Sequence, residues 1–420
     1  MKIFVSAGEA SGDLHGANLI KALRRLQPDV VIYGLGGPRM AAVGCSLHED
    51  MVKRSGMWFW HVWVNFFHYL SVLRRIVSGF VTDPPDAVVL IDSPGFNVRI
   101  AAHAKARGIP VIYYITPQTW AWASMRFPKI ARRVDKMLNI LPFEPELWRL
   151  YGVDCEYVGH PIFDHLAGLQ LAPVQRVKEF ADRQAGQPAL RLAGLPAYRH
   201  NSSEDTKAPL IGLLPGSRYR EIDDLLPIML DAGKIIKAEI PAARFRLVCA
   251  NEELHDRINR TVSAHSLPVD VVVGAPYDVM REATLCLVSC GTANLELASF
   301  ATPMVVLYRV VWYGFWVRGP FISTDYISLV NILAGREIVP ECLMLTAKPV
   351  RVARRALELL QDEQKRQACV AALNDLRTVF AHPGASARAA EEVLRVVEKA
   401  RHSPHPGAES RTPCGGCFCR

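Results

Sequence analysis

Four short stretches of the sequence join glycine to charge where an apolar run ends, and each could present a reacting group to a ligand. Leu213-Leu214-Pro215-Gly216-Ser217-Arg218 runs on into Tyr219-Arg220-Glu221-Ile222. Apolar residues lead into Pro-Gly-Ser, charge appears, and an amphipathic run begins, which is the pattern of a strand, a tight turn and a helix start. Such a turn aims backbone N–H groups at an anion above the strand, and the helix dipole favours negative charge there. Arg218 adds a rigid guanidinium fork that matches phosphate oxygens. A solvated arginine in an ordinary turn fits the same letters. A second turn of this type follows at Ser289-Cys290-Gly291-Thr292-Ala293-Asn294-Leu295-Glu296. Gly216, Ser217, Gly291, Thr292, Ala293 and Asn294 are therefore candidates for holding a diphosphate through main-chain N–H groups. Glu296 is placed either to accept both hydroxyls of a ribose or simply to sit favourably in a first helical turn.

Asp92 closes the apolar run Ala87–Ile91 and precedes Ser93-Pro94-Gly95. A carboxylate at the carboxyl end of a buried strand, opening into a cleft, is placed to take a proton from a substrate hydroxyl. An N-cap for the helix expected over Val98–Arg107 is the other reading, although Asn97 is better placed for that. Glu9, Ser11 and Asp13 crowd the first glycine loop, where they would meet sugar hydroxyls or a phosphate. Asp13 alternatively caps the helix expected from Leu14. His15 reads as a first-turn surface histidine, and His160, in Val158-Gly159-His160-Pro161, as a cleft or hinge residue. No His/Cys/Asp cluster has metal-ligand spacing, and neither a Walker loop nor GxGxxG occurs.

The elements that must carry these groups alternate. Strands are expected at Lys2–Ala7, Val30–Leu35, Ala87–Ile91, Pro110–Ile115 and Val134–Ile140, with helices between. A second series is expected at Leu210–Leu214, Phe245–Ala250, Val269–Val273, Leu285–Ser289 and Met304–Tyr308. Alternation of this kind predicts α/β architecture with doubly wound parallel sheets, whose ligands sit at the carboxyl ends of the strands. The expected organisation is an N-terminal domain over 1–165, an inter-domain insertion over 166–208, a second α/β domain over 209–380, a C-terminal helix over 381–401 and a disordered tail over 402–420. One amphipathic helical stretch is read over Pro349–Phe380.

The chain has 420 residues, 50% of them hydrophobic and 21% charged, so material for two cores is ample. A net charge of +8 suits an anionic substrate or a membrane surface; the basic residues are dispersed, which argues against nucleic acid. Of the ten cysteines, Cys45, Cys155, Cys249 and Cys286 sit in apolar surroundings and read as reduced core residues, whereas Cys414, Cys417 and Cys419 lie in the tail. The N-terminus reads as strand and loop rather than signal peptide. Met57 to Leu70 is MWFWHVWVNFFHYL, flanked by Lys53, Arg54, Arg74 and Arg75. Tryptophans with flanking basic residues suit the headgroup layer, the run is too short to span a bilayer, and residues 57–75 are expected to contact a membrane surface. A buried core helix is the competing reading.

The ordered set SAGEASGDLHGA (6–17), GLGGPRM (34–40), IDSPGFN (91–97), YYITPQTWAW (113–122), YVGHPI (157–162), LLPGSR (213–218), GTANLE (291–296) and DYISLVNILAGREIVPE (325–341) resembles the lipid-A-disaccharide synthases. These are inverting glycosyltransferases of two-domain, GT-B type. The resemblance covers about 1–165 and 209–400, with 169–208 and the tail outside it. It implies UDP-2,3-diacylglucosamine as donor, 2,3-diacylglucosamine 1-phosphate as acceptor, no cofactor and no metal, and a peripheral position on the cytoplasmic face of the inner membrane. A second copy of the chain is a compatible partner. By the same resemblance Asp92 is the general base, Arg218 stabilises the leaving diphosphate, and Glu296 holds the ribose. Asn331 matches a family site position, and Glu9, Ser11 and Asp13 bind sugar or phosphate. Two positions depart from the family: Gly95 stands where an acidic residue is usual, and Cys290 where serine is. Alternatives are a UDP-sugar 2-epimerase of the same architecture, or a nucleotide- or lipid-binding membrane protein without catalysis.

Overall fold

The computed structural model describes residues 1–52, 59–122, 124–168, 208–308, 325–343 and 347–402, with residues 59–66, 121, 122 and 124 described by backbone alone. The insertion expected over 166–208 thus lies almost wholly outside the described residues, as do Met57, Trp58 and the tail beyond His402.

Seven strands form the first sheet: β1 (Lys2–Ala7), β2 (Val31–Gly36), β3 (Ser46–Asp50), β4 (Ala87–Ile91), β5 (Val111–Tyr114), β6 (Lys136–Asn139) and β7 (Asp154–Tyr157). Six form the second: β8 (Leu210–Leu214), β9 (Arg244–Cys249), β10 (Asp270–Val273), β11 (Leu285–Ser289), β12 (Met304–Tyr308) and β13 (Glu341–Leu343). All pairings are parallel. The strand orders are 3-2-1-4-5-6-7 and 10-9-8-11-12-13. Central strands such as AVVLI and LIGLL are buried at every position, because helices cover both faces of a parallel sheet. Strand order reverses between β1 and β4 in the first sheet and between β8 and β11 in the second. Crevices open outside the carboxyl ends of the strands at such points.

Helix boundaries differ from expectation in three places. The first helix begins at Ala10, not Leu14, so Ser11 and Asp13 stand in its first turn. The helix after β4 begins at Pro94, where proline's missing N–H costs nothing. The run from Pro349 is two helices, Pro349–Gln361 and Glu363–Phe380, broken at Asp362, whose side chain accepts the Lys365 N–H.

The last helix, Ala385–His402, turns back onto the first domain. Its Ala389, Ala390, Val393 and Val397 join the core built around β1 and the Ala10–Leu26 helix. In the opposite sense, Ile162, Phe163 and Leu166 of the Ile162–Gly168 helix join the core of the second domain. The two crossings lie side by side. The Asp164 carboxylate accepts the N–H groups of Gly384 (2.5 Å), Ala385 (3.1 Å) and Ser386 (2.7 Å), capping the final helix. Arg388 donates to the carbonyls of Val158 and Pro383 at 2.9 and 3.1 Å, and Phe163 meets Phe380 with ring centroids 5.1 Å apart.

The aromatic stretch belongs to a helix, Phe59–Thr82. Over its described side chains Val72, Ile76 and Phe80 are buried at helical spacing, and Phe67 is exposed. His68 and Arg75 both reach Glu49 of β3, at 3.2 and 2.9 Å, so these two polar residues of the helix contact the protein's own sheet edge. Among the described residues no helix is long and apolar enough to cross a membrane.

Candidate active site

The reversal points bring the sequence motifs together. Glu9 follows β1 and Asp92 follows β4, while Arg218 follows β8 and the Gly291 turn follows β11. Across the space between the domains, Arg218 Nη2 lies 2.7 Å from Glu9 Oε2. Both charges also reach Asp92. Burial, with the Glu9 charge adding to it, raises the Asp92 carboxyl above its ordinary value; the Ser93 N–H and Arg218 act against that rise. Glu9, Asp92 and Arg218 therefore share one cleft.

The Asp92 backbone has an unusual conformation. Asp92 and Ser93 both have φ of +47°, a left-handed region that side-chain-bearing residues rarely enter. Asn97 is not the helix cap expected of it. It is buried in the helix's first turn, donates to the carbonyls of Asp92 (2.8 Å) and Ile91 (3.0 Å), and accepts from Ser6 Oγ at 2.7 Å.

On the other side, Gly216 has φ of +113°, and a Cβ there would strike the Glu221 carboxylate. That carboxylate accepts the Ser217 N–H at 3.1 Å and lies 3.7 Å from Arg218, closing the turn around the arginine. Gly291 and Thr292 are exposed at the helix Ala293–Ser299, with the Asn294 N–H bonded inward to the Gly291 carbonyl at 3.2 Å. Asn294 itself is fully buried, and neither atom of its amide has a hydrogen-bond partner among the described residues. Glu296 is held by the Tyr277 hydroxyl at 3.2 Å, and burial pushes its carboxyl up to about 7 against the effect of that bond.

Two candidates have their side chains engaged by the protein itself. Asp13 is buried, its oxygens accepting the N–H groups of Gly37 (2.8 Å), Arg39 (3.0 Å) and Met40 (3.0 Å), and so it caps the helix Pro38–Ala42. Asn331 is buried in the second domain, donating to Val339 O and Glu341 Oε1 at 2.8 Å and accepting from Ile338 N at 2.8 Å and Val339 N at 3.1 Å. Both are braces in this structure. Ser11 is exposed at the start of its helix.

Two features, Tyr277 and a buried histidine pair, had weak signals in the sequence. Tyr277 follows Gly274-Ala275-Pro276 at the end of β10, a strand end like the others. His15 is buried rather than on the surface, and pairs edge-on with His160 at 6.3 Å between centroids. Burial lowers these histidines to about 4 and about 3 respectively. Gly95 faces open space, and the Cys290 thiol turns to the Ile327 carbonyl at 3.5 Å, with burial pushing it up to about 12. Among the described residues no cluster of His, Cys, Asp and Glu could hold a metal ion.

The fold is shared with solved structures. A UDP-N-acetylglucosamine 2-epimerase from Neisseria meningitidis bound to UDP-GlcNAc superposes with a TM-score of 0.58 at 10% identity, over 95% of this chain and 100% of that one. MurG of Acinetobacter baumannii superposes with a TM-score of 0.54 at 13% identity, over 94% and 98%. Two parallel α/β domains facing one cleft, each offering a reversal point to it, make this a protein of the GT-B class. The family model described as lipid-A-disaccharide synthetase matches residues 3–192 and 195–393. It runs through most of 169–208, so that segment is not outside the family as the motifs alone suggested. The lipid-A-disaccharide synthase of Syntrophus aciditrophicus is 37% identical over 94% of this chain and 98% of its own length, and that of Myxococcus xanthus 34% over 95% and 98%. The chain belongs to the lipid-A-disaccharide synthase family and is a glycosyltransferase of lipid A biosynthesis.

Proposed function

We propose that the chain transfers 2,3-diacylglucosamine from its UDP conjugate to the 6-hydroxyl of 2,3-diacylglucosamine 1-phosphate, giving the β-1,6-linked disaccharide 1-phosphate and UDP. One observation carries the reading: Glu9 and Asp92 at one reversal point and Arg218 at the other share a cleft, with Arg218 2.7 Å from Glu9 across it. In the proposed step the acceptor oxygen attacks the anomeric carbon opposite the nucleotide, the bond from that carbon to the β-phosphate oxygen breaks, and configuration inverts. Asp92 takes the hydroxyl proton as the new bond forms. Negative charge grows on the departing diphosphate. Arg218, drawn from Glu9 by that greater charge, would meet it together with N–H groups of Gly216, Gly291, Thr292 and Ala293. Glu296, steadied by Tyr277, would accept from the ribose. The start of the Phe59–Thr82 helix would rest on the inner face of the membrane, leaving the acyl chains of both substrates in lipid.

Mass spectrometry of products from purified protein and both lipids of defined acyl composition tests this. Disaccharide 1-phosphate is expected, and Asp92→Ala is expected to slow its formation by at least ~10²-fold, the loss typical of a missing general base. Equal turnover by that variant would sink the mechanism. Conversion of unacylated UDP-N-acetylglucosamine to its 2-epimer would favour the epimerase alternative.

A further inference from the structure

The peptide of Asp92 is held from β5 and from the helix that follows it. Its N–H donates to the carbonyl of Ile115, at the end of β5, at 3.3 Å. Its carbonyl accepts two donors: the Tyr113 hydroxyl at 2.6 Å, from β5, and Asn97 Nδ2 at 2.8 Å. Tyr113 is fully buried and Asn97 nearly so. The Asn97 amide is itself oriented by Ser6 of β1, whose hydroxyl donates to Asn97 Oδ1 at 2.7 Å. Ile115 also has a positive φ, +60°, which is costly for a β-branched residue. Three side-chain-bearing residues in left-handed conformation thus meet at two adjacent strand ends, linked by the Asp92 N–H to Ile115, while two side-chain hydrogen bonds converge on the Asp92 carbonyl. Strain of this kind persists only where the surroundings over-determine it.

A turn with φ of +47° at two successive residues sends the Asp92 side chain away from the strand's own direction and toward Glu9 and Arg218. Left to itself, the backbone would relax to an extended or right-handed form and swing the carboxylate off that line. We propose that Tyr113 and Asn97 are positioning residues for the transfer reaction, their hydrogen bonds to the Asp92 main-chain carbonyl holding the left-handed turn that aims the Asp92 carboxylate into the cleft. Ser6 fixes the Asn97 amide in the orientation that does this. The inference rests on the assignment of Asp92 as general base.

Tyr113→Phe removes one oxygen and leaves the ring in place. In the full-length protein it is expected to lower kcat by about 10- to 100-fold, the scale of loss for a misaligned reacting group, with KM for both lipids changed less than threefold. A tyrosine that only supported the core would lower thermal stability and leave kcat per folded molecule intact. The double variant Asp92→Ala/Tyr113→Phe separates the routes. If Tyr113 acts through Asp92, adding Tyr113→Phe to Asp92→Ala leaves the slow residual rate unchanged within twofold. The inference is overturned if Tyr113→Phe keeps kcat within twofold of the parent, if its loss lies in KM, or if it lowers the residual Asp92→Ala rate as much as it lowers the parent's. Should Asp92→Ala alone keep full activity, the base assignment falls instead, and the inference with it. Should Tyr113→Phe not fold, Ser6→Ala, which frees the Asn97 amide to turn, is expected to lower kcat by about threefold or more with KM unchanged. No change in kcat there would equally overturn the proposal.

Discussion

Asp92 is a carboxylate in surroundings that resist its charge. Burial and Glu9 raise its pKa, and only Arg218 and the Ser93 N–H favour ionisation. A base must be ionised to accept a proton, so turnover should fall on acidification at a higher pH than an ordinary aspartate would give. Glu9→Gln removes the charge that raises it. That variant should therefore move the acid limb of kcat to lower pH, as a pH–rate profile would show. Glu296 gives a second titration. Burial pushes its carboxyl up to about 7, so in the proposed role acidification through neutrality would remove an acceptor of the ribose hydroxyls. The KM for donor should rise as pH falls through about 7, and Glu296→Gln should abolish that dependence. Arg218→Lys is expected to reduce kcat by roughly 10²-fold, because a single ammonium cannot meet two phosphate oxygens as a guanidinium fork does. These residues drew notice in the sequence because each stands in the loop or first helical turn that follows an apolar run. Asp13 and Asn331 have the same letters but different duties: Asp13 caps a neighbouring helix, and Asn331 closes a loop through four side-chain bonds. Nothing in local sequence says which N–H a carboxylate will find 24 or more residues away.

Central strands were readable almost to the residue: Lys2–Ala7, Ala87–Ile91, Leu210–Leu214, Leu285–Ser289 and Met304–Tyr308 coincide with β1, β4, β8, β11 and β12. The strands that escaped, β3, β7 and β13, are all at sheet edges. SLHED and DCEY carry charge because one side of an edge strand meets water, and ECL is only three residues long. The split at Asp362 was hidden for a related reason, since apolar spacing continues through it in both helices. The crossings between domains were not legible at all, because they depend on contacts more than 200 residues apart. They carry their own prediction. Asp164→Ala leaves three N–H groups of the final helix without their acceptor and should cost about 2 kcal/mol, read as a lower melting temperature and faster proteolysis of 385–402.

The buried histidine pair lies where the halves join, and it links the whole protein to pH. His15 and His160 have folded-state values of about 4 and about 3, well below the ordinary 6.5 of the unfolded chain. A depressed group contributes stability that is fully present above the unfolded value and is lost as pH falls toward the folded one. Stability should therefore decline from pH 6.5 downward, at no more than about 1.4 kcal/mol per pH unit for each histidine. Thermal melts between pH 7 and 4.5 would show the slope, and His15→Phe should flatten it. The route of the chain has a separate consequence for how the protein is made. Synthesis delivers β1 and its helix early, but the face they present is closed by Ala389, Ala390, Val393 and Val397, which follow only after the second domain has been made. The first half to be made is thus the last to be completed. It waits with an apolar groove open to solvent, at risk of sticking to neighbours, until the other half has been threaded out and its trailing helix comes home.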